Sequence, residues 1–225
     1  MKAGLIIAVD GPSGAGKSSS SRTLAERLGY QYVDTGALYR VIGLLAWEQQ
    51  TSLNDGERLA ALCENLPLRF ISRATGVRVL LGERDITTAI RQPEVSQMAS
   101  KVSAQPAVRQ GLLNLQRNMG EGGGIVMEGR DIGTVVFPDA DVKFYLDASA
   151  EERGRRRYLE LQQQGVATTI ETTVREMTER DQRDSGREHA PLRCAEDGIG
   201  IDTTALSLRE VVDVMLRHVD NARKC

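Results

Sequence analysis

Leu5-Ile6-Ile7-Ala8-Val9-Asp10-Gly11-Pro12-Ser13-Gly14-Ala15-Gly16-Lys17-Ser18 is the stretch whose reading decides the fold. An apolar run ends at Asp10 and a glycine-rich turn follows. Lys17 and Ser18 then open a segment in which Leu24 and Leu28 lie one helical turn apart. Strand, G-x-x-x-x-G-K-S loop, helix is the setting in which this pattern holds phosphate. Gly11, Gly14 and Gly16 admit backbone angles closed to other residues and leave room for an anion. Backbone N–H groups converge there at a helix N-terminus, where the dipole also favours negative charge. The reading is a nucleoside triphosphate site formed by Gly11, Pro12, Ser13, Gly14, Ala15, Gly16, Lys17, Ser18 and Ser19. Lys17 reaches the β/γ phosphates and the Ser18 hydroxyl ligates Mg²⁺.

Outward from this loop, the unit repeats. Gln31-Tyr32-Val33 reads as a strand ending at Asp34, and Thr35-Gly36 leads into a helix over Ala37–Gln50. Further apolar strands are expected at Ile125-Val126-Met127, Val142–Leu146 and Gly198–Asp202. Helices are expected at Lys17–Leu28 with Gly29 as its stop, on either side of Pro106, over Ser149–Gln164, over Glu171–Gln182, and over Leu208–Val219 capped by Ser207. This alternation implies an α/β fold, a P-loop doubly wound parallel five-stranded sheet with right-handed crossovers. Ligands in such sheets sit beyond the carboxyl ends of the strands. Between Thr51 and Pro93 the rhythm breaks. A helix at Leu59–Leu66 precedes Leu68–Ser72, Val77–Leu81 and Arg84–Thr87, with turns at Thr75-Gly76 and Gly82-Glu83. This antiparallel meander implies a small substrate-side insertion at 60–92, set into a core of 1–59 and 93–225.

The 225 residues allow one α/β domain with an insertion. A net charge of −2 carries no footprint for nucleic acid. Cys63, Cys194 and Cys225 form an odd set without metal-ligand spacing, which implies free thiols and a reducing compartment. The first apolar run is too short for a signal peptide or a membrane span, so we expect a soluble, cytoplasmic protein with no membrane partner. No leftover apolar stripe asks for a second copy, and the expectation is a monomer.

A phosphate loop alone does not separate kinases from GTPases or motors. No Asn-Lys-x-Asp segment is present to read guanine, and no ABC-type signature is found. The arginines instead suggest a second anion. Arg40 and Arg130 stand at strand rims, and Arg109 follows Pro106. Arg153, Arg155, Arg156 and Arg157 cluster after the fourth core strand, and Arg180, Asp184 and Arg187 share one face if that stretch is helical. Guanidinium forks suit phosphate oxygens. The 151–187 arginines read equally as a solvated, salt-bridged face, because Glu151, Glu152, Glu160, Glu176 and Glu179 are neighbours. Two cationic populations are what phosphoryl transfer needs, one for the donor and one for the acceptor. Glu128 stands where a carboxylate holds the water shell of Mg²⁺, or is simply a strand end, and Asp131 faces the acceptor. His189 and His218 have no obvious role.

Four segments together resemble the bacterial cytidylate kinases, within the nucleoside monophosphate kinases: Asp10–Ser18, Asp34-Thr35-Gly36-Ala37-Leu38-Tyr39-Arg40, Gly129-Arg130-Asp131-Ile132-Gly133-Thr134-Val135-Val136-Phe137-Pro138, and Glu179-Arg180-Asp181-Gln182-Arg183-Asp184. The likeness runs over nearly the whole chain. It implies transfer of the γ-phosphate of ATP to CMP or dCMP with Mg²⁺, the meander serving the acceptor and a mobile helical lid lying at about 153–165. It further implies that Ser100, Arg109 and Asp131 read the cytosine edge. Arg40, Arg130, Arg180 and Arg187 would clamp the CMP phosphate, Asp184 would hold the sugar hydroxyls, and Asp34, Thr35 and Tyr39 would line the acceptor pocket. Lys17, Arg130, Arg156 and Arg180 would serve catalysis, Arg156 from the lid. Thr35 replaces a common serine and Glu128 a common aspartate, each adding a carbon. A kinase for UMP or for a sugar acid, and a nucleotide-dependent switch, remain the alternatives from the residues alone.

Overall fold

The structure, a computed structural model, describes residues 4–64, 66–73 and 76–224. Met1–Ala3, Thr75 of the expected turn, and Cys225 lie outside them. The chain divides into two compact units, Met1–Asp34 with Arg117–Cys225, and Thr35–Gln116.

The first unit holds β1 (Ile6–Asp10), α1 (Lys17–Leu28), β2 (Gln31–Asp34), β6 (Ile125–Glu128), β7 (Val142–Asp147), α6 (Ala150–Gln163), α7 (Ile170–Ser185), β8 (Ile199–Asp202) and α8 (Leu208–Ala222). Its five strands run parallel in the order β2-β6-β1-β7-β8. Every residue of β1 and β6 is buried. Continuous apolar runs of this kind are what the central strands of a parallel sheet require. Ile7, Val9, Leu24, Val126, Phe144, Val211 and Met215 form the main core. Gly29 ends α1 in the left-handed region. Ser207 and Glu210 close a capping box that starts α8 one residue after the expected cap.

The second unit contains α2 (Thr35–Glu48), α3 (Gly56–Ala61), the antiparallel sheet β3 (Leu68–Arg73), β4 (Gly76–Leu81) and β5 (Arg84–Asp85), then α4 (Pro93–Val102) and most of α5 (Pro106–Gly120). Ala37, Val41, Leu44, Val79, Ile86, Ile90 and Val95 make its core. Pro106 separates α4 from α5 and starts the latter, as its ring demands. Two helix starts differ from expectation. Helix α3 starts earlier, because the Asp55 carboxylate caps Arg58 N at 3.1 Å, and it is over before Leu66. Helix α2 begins at Thr35, directly from β2, with no intervening turn.

Among the described residues no helix is long and apolar enough to cross a membrane. The segment expected as a lid, 153–165, comprises most of α6 and the turn that ends it. Helices α6 and α7 pack at Gly154, where an added Cβ would lie 2.2 Å from Val174 Cγ2. Gly154→Ala should therefore destabilise the first unit by about 1–3 kcal/mol through overpacking. Thermal melting would register this as a Tm several degrees lower, and an unchanged Tm would mean that the two helices part at no cost.

Candidate active site

The loop between β1 and α1 is shaped by two glycines. Gly11 has φ +144°, and a Cβ there would sit 1.9 Å from the Leu146 carbonyl oxygen. At Gly14, with φ +77°, a Cβ would meet Met177 Cε at 2.8 Å and the Arg153 carbonyl oxygen at 2.9 Å. Neither position tolerates a side chain. The loop delivers Lys17 to the interior, where Nζ donates to the Pro12 carbonyl at 2.6 Å. Burial pulls this ammonium down to about pKa 7, and Arg130 and Arg180 push the same way, while Glu128 and Asp10 oppose them.

Parallel pairing sets Glu128 beside Val9 of β1 and Asp34 of β2. The Glu128 side chain is buried and accepts from the hydroxyls of Tyr32 and Ser18. Burial raises its carboxyl above the usual range and Asp34 adds to this, against Lys17, Tyr32 and Ser18. Ser18 oxygen with the carboxylates of Glu128 and Asp34 is a hard-oxygen donor set, which suits Mg²⁺. Among the described residues no group of three or more His, Cys, Asp or Glu could hold a metal ion.

The outer side of the loop is braced. Arg153 donates to the Ser13 carbonyl at 3.3 Å and also pairs with Asp181. Arg156 donates to the Thr203 carbonyl at 2.7 Å, to Thr203 Oγ1 at 3.0 Å and to the Gly14 carbonyl at 3.4 Å, with its Nε on Glu152. Thr203 Oγ1 itself donates to the Ala15 carbonyl at 3.1 Å. Thr203 escaped the sequence reading. Its only sequence signal was a polar residue following the last apolar strand.

A second cationic group in the same unit surrounds Asp184. Arg130 Nε donates to Asp184 Oδ2 at 3.0 Å, Arg187 bonds Oδ1, and Arg180 Nε lies 3.9 Å from Oδ2. Burial alone would raise the Asp184 carboxyl, but Arg130, Arg187 and Arg180 together hold it below the usual range. The condition for Arg187 to share a helix face with Arg180 and Asp184 is not met, since α7 ends at Ser185. It reaches Asp184 from beyond the helix end. Asp131 is buried immediately after Arg130.

In the second unit, the Arg109 guanidinium carbon lies 5.6 Å from the centre of the Tyr39 ring, and Arg109 donates to the Ser103 carbonyl at 3.2 Å. Ser103 in turn donates to the Ser100 carbonyl at 2.9 Å, so α2, α4 and α5 bring Tyr39, Ser100 and Arg109 together. Ser100 Oγ is buried without a hydrogen-bond partner among the described residues, a hydroxyl suited to a ligand. Thr35 is buried and Arg40 half-buried, both on α2.

A parallel α/β sheet, a phosphate loop with a buried lysine, and arginines gathered on a carboxylate define a P-loop phosphotransferase of the small-kinase type. The family model described as "Cytidylate kinase" matches residues 7–221. The chain is 52% identical to the cytidylate kinase of Geobacter sp. (strain M21), over 96% of this chain and 93% of that protein. It is 53% identical to the cytidylate kinase of Syntrophotalea carbinolica, over 96% and 92% respectively. Among solved structures, an uncharacterized protein from Eubacterium ventriosum matches with TM-score 0.51 at 12% identity, covering 96% of this chain and 98% of that one, a likeness of fold alone. The chain belongs to the cytidylate kinase family.

The depressed Lys17 ammonium has a measurable consequence. In the free protein its charged form is lost as pH rises through about 7. A phosphate beside it favours the charged form, so binding a triphosphate above that pH must take up protons. Titration calorimetry at pH 8 in buffers of different ionisation enthalpy should show uptake approaching one proton, absent in Lys17→Met. Equal apparent enthalpies in all buffers would refute the shift.

Proposed function

We propose that this member of the cytidylate kinase family transfers the γ-phosphate of ATP to CMP or dCMP, giving ADP and CDP or dCDP. The observation that carries the reading is the presence, in one unit, of two separate cationic groups: Lys17 in the phosphate loop, and Arg130, Arg180 and Arg187 about Asp184. The first suits a triphosphate donor and the second a phosphate acceptor. The names of the close relatives supply the base.

In this mechanism the loop amides and Lys17 hold the β and γ phosphates. Ser18, with Glu128 and Asp34 behind it, would hold Mg²⁺, which would neutralise phosphate charge. Arg40, Arg130, Arg180 and Arg187 hold the CMP phosphate as nucleophile, and charge spreading onto the transferred group is met by fixed guanidiniums. A phosphate acceptor needs little proton chemistry, which fits a chain with two histidines. Ser100, Arg109 and Asp131 read the cytosine edge. A carboxylate there accepts from the exocyclic amine, a group uracil lacks. Asp184 receives the sugar hydroxyls, and Thr35 and Tyr39 line the pocket. Arg156 turns from Gly14 and Thr203 toward the ATP phosphates when the 153–165 segment closes and excludes competing water. We read the enzyme as a cytoplasmic monomer.

A coupled assay for ADP release, with ATP against CMP, dCMP, UMP and AMP, tests the reading. CMP and dCMP should be preferred, and silence with every acceptor would remove it. In the same assay Asp131→Asn should lose CMP-over-UMP discrimination by more than it loses ATP affinity, at a level of about tenfold or more. Arg130→Ala should raise the CMP KM and lower kcat together. An effect confined to the ATP KM would move that arginine to the donor side.

A further inference from the structure

Asp10 is a buried carboxylate that the mechanism above does not use. It is the last residue of β1 and is peptide-bonded to Gly11, the first glycine of the phosphate loop. Its side chain leaves the loop. Oδ1 accepts from Ile132 N and Oδ2 from Gly133 N, both at 2.8 Å. These two amides open a π-helical turn, Ile132–Val136, that begins immediately after Arg130 and Asp131. Within it the Asp131 carbonyl accepts from Val135 N at 2.9 Å and Val136 N at 3.2 Å. The far end is clasped by cations. Arg117 donates to the Val136 and Val135 carbonyls at 3.1 and 3.0 Å, and Lys143 Nζ donates to the Pro138 carbonyl. Lys143 is anchored on Asp197 at 2.7 Å, and its stem lies against Gly133, where a Cβ would meet Lys143 Cδ at 3.2 Å. The turn is thus fixed at both ends by side chains from elsewhere in the chain.

We infer that Asp10 is a positioning residue: its two-pronged bond to Ile132 and Gly133 ties the turn that follows Arg130 and Asp131 to the start of the phosphate loop, so that acceptor and donor groups keep one register. A carboxylate suits this task because both of its oxygens accept, whereas an amide or hydroxyl offers only one accepting oxygen. Burial works against the charge and pushes Asp10 up to about pKa 7, and the two amides oppose that push. An apolar residue would avoid the cost but leave two buried N–H groups unpaired.

The inference rests on the acceptor roles proposed for Arg130 and Asp131, and the test separates the two. Asp10→Asn keeps the shape but sets an amide nitrogen against one backbone N–H. We expect a CMP KM raised about tenfold and a reduced CMP-over-UMP ratio, with the ATP KM within about twofold of the parent. Equal increases in both KM values, or unchanged CMP kinetics, would overturn the inference. Asp131→Asn is run alongside. If it loses selectivity while Asp10→Asn does not, the inference fails and the base-reading assignment stands; if Asp131→Asn keeps selectivity, the assignment fails and takes the inference with it. Should Asp10→Asn not fold, amide hydrogen exchange in the parent protein decides. Slow exchange at Ile132 and Gly133 supports the tie, and exchange at the rate of exposed loop amides refutes it.

Discussion

The Lys17 ammonium is the charge around which the first unit is arranged. An ammonium taken out of water is strongly penalised unless oxygens and opposite charges surround it. Here the penalty shows as a lowered pKa, and the groups that set it can be named. The Pro12 carbonyl accepts a hydrogen bond from it and so closes the loop upon itself. Glu128 and Asp10 favour the charged form, from the ends of β6 and β1, while Arg130 and Arg180 disfavour it. These groups are neighbours because the sheet is parallel. Strands β6, β1 and β7 all end at the same rim, and the register places Glu128 beside Val9 and Asp10 beside Tyr145. The same rim then holds every first-unit group to which a role in transfer is given above.

A phosphate loop has a second requirement that its motif does not state. If its N–H groups turn inward to an anion, its carbonyls turn outward and need donors of their own. Ser13, Gly14 and Ala15 find them in Arg153, Arg156 and Thr203. Two of these donors lie on α6 and the third follows β8, so the loop's shape is held by elements far from it in sequence. Gly14 shows how tight this packing is, since Met177 and Arg153 occupy the space a side chain would need. Arginines that might have been counted only as phosphate ligands are also structural donors. Any movement of α6 must exchange these bonds for others.

This division explains what could be read from the sequence. The strand–loop–helix of 5–28, the break at Pro106, the Ser207 cap and the meander follow from periodicity and from local caps, and all were legible. The turn after Asp131 was not. Its bonds run from residue to fifth residue, which leaves no hydrophobic period, and it is held by Asp10 and Arg117, both remote in sequence, and by Lys143 of β7. The early start of α3 depended on Asp55, a polar residue outside the apolar pattern. Arg180 and Asp184 were legible as one helical face. Arg130, contributed by the turn after β6, and Arg187, from beyond the end of α7, could be joined to them only by tertiary structure or by family resemblance.

The contrast between the lysine and the arginines follows from their chemistry. Burial, with Arg130 and Arg180, pulls the Lys17 ammonium below the usual lysine range, so its charge responds to what is bound. A guanidinium keeps its proton under the same conditions, since its pKa starts above ~12. Arg130, Arg180 and Arg187 can therefore be packed on one carboxylate and remain cationic, and Asp184 offsets the repulsion among them that would otherwise spread the group apart. Counting only these four side chains, the positive charge is in excess, as an acceptor phosphate dianion would require. Had lysines stood in these places, burial and mutual repulsion would have discharged some of them, and the excess would have been lost. Forks held by a shared carboxylate are also fixed in direction before any anion arrives, so less ordering is left to be done on binding. On the function proposed above, the donor side thus uses a cation that the bound phosphate recharges, and the acceptor side uses cations that cannot discharge.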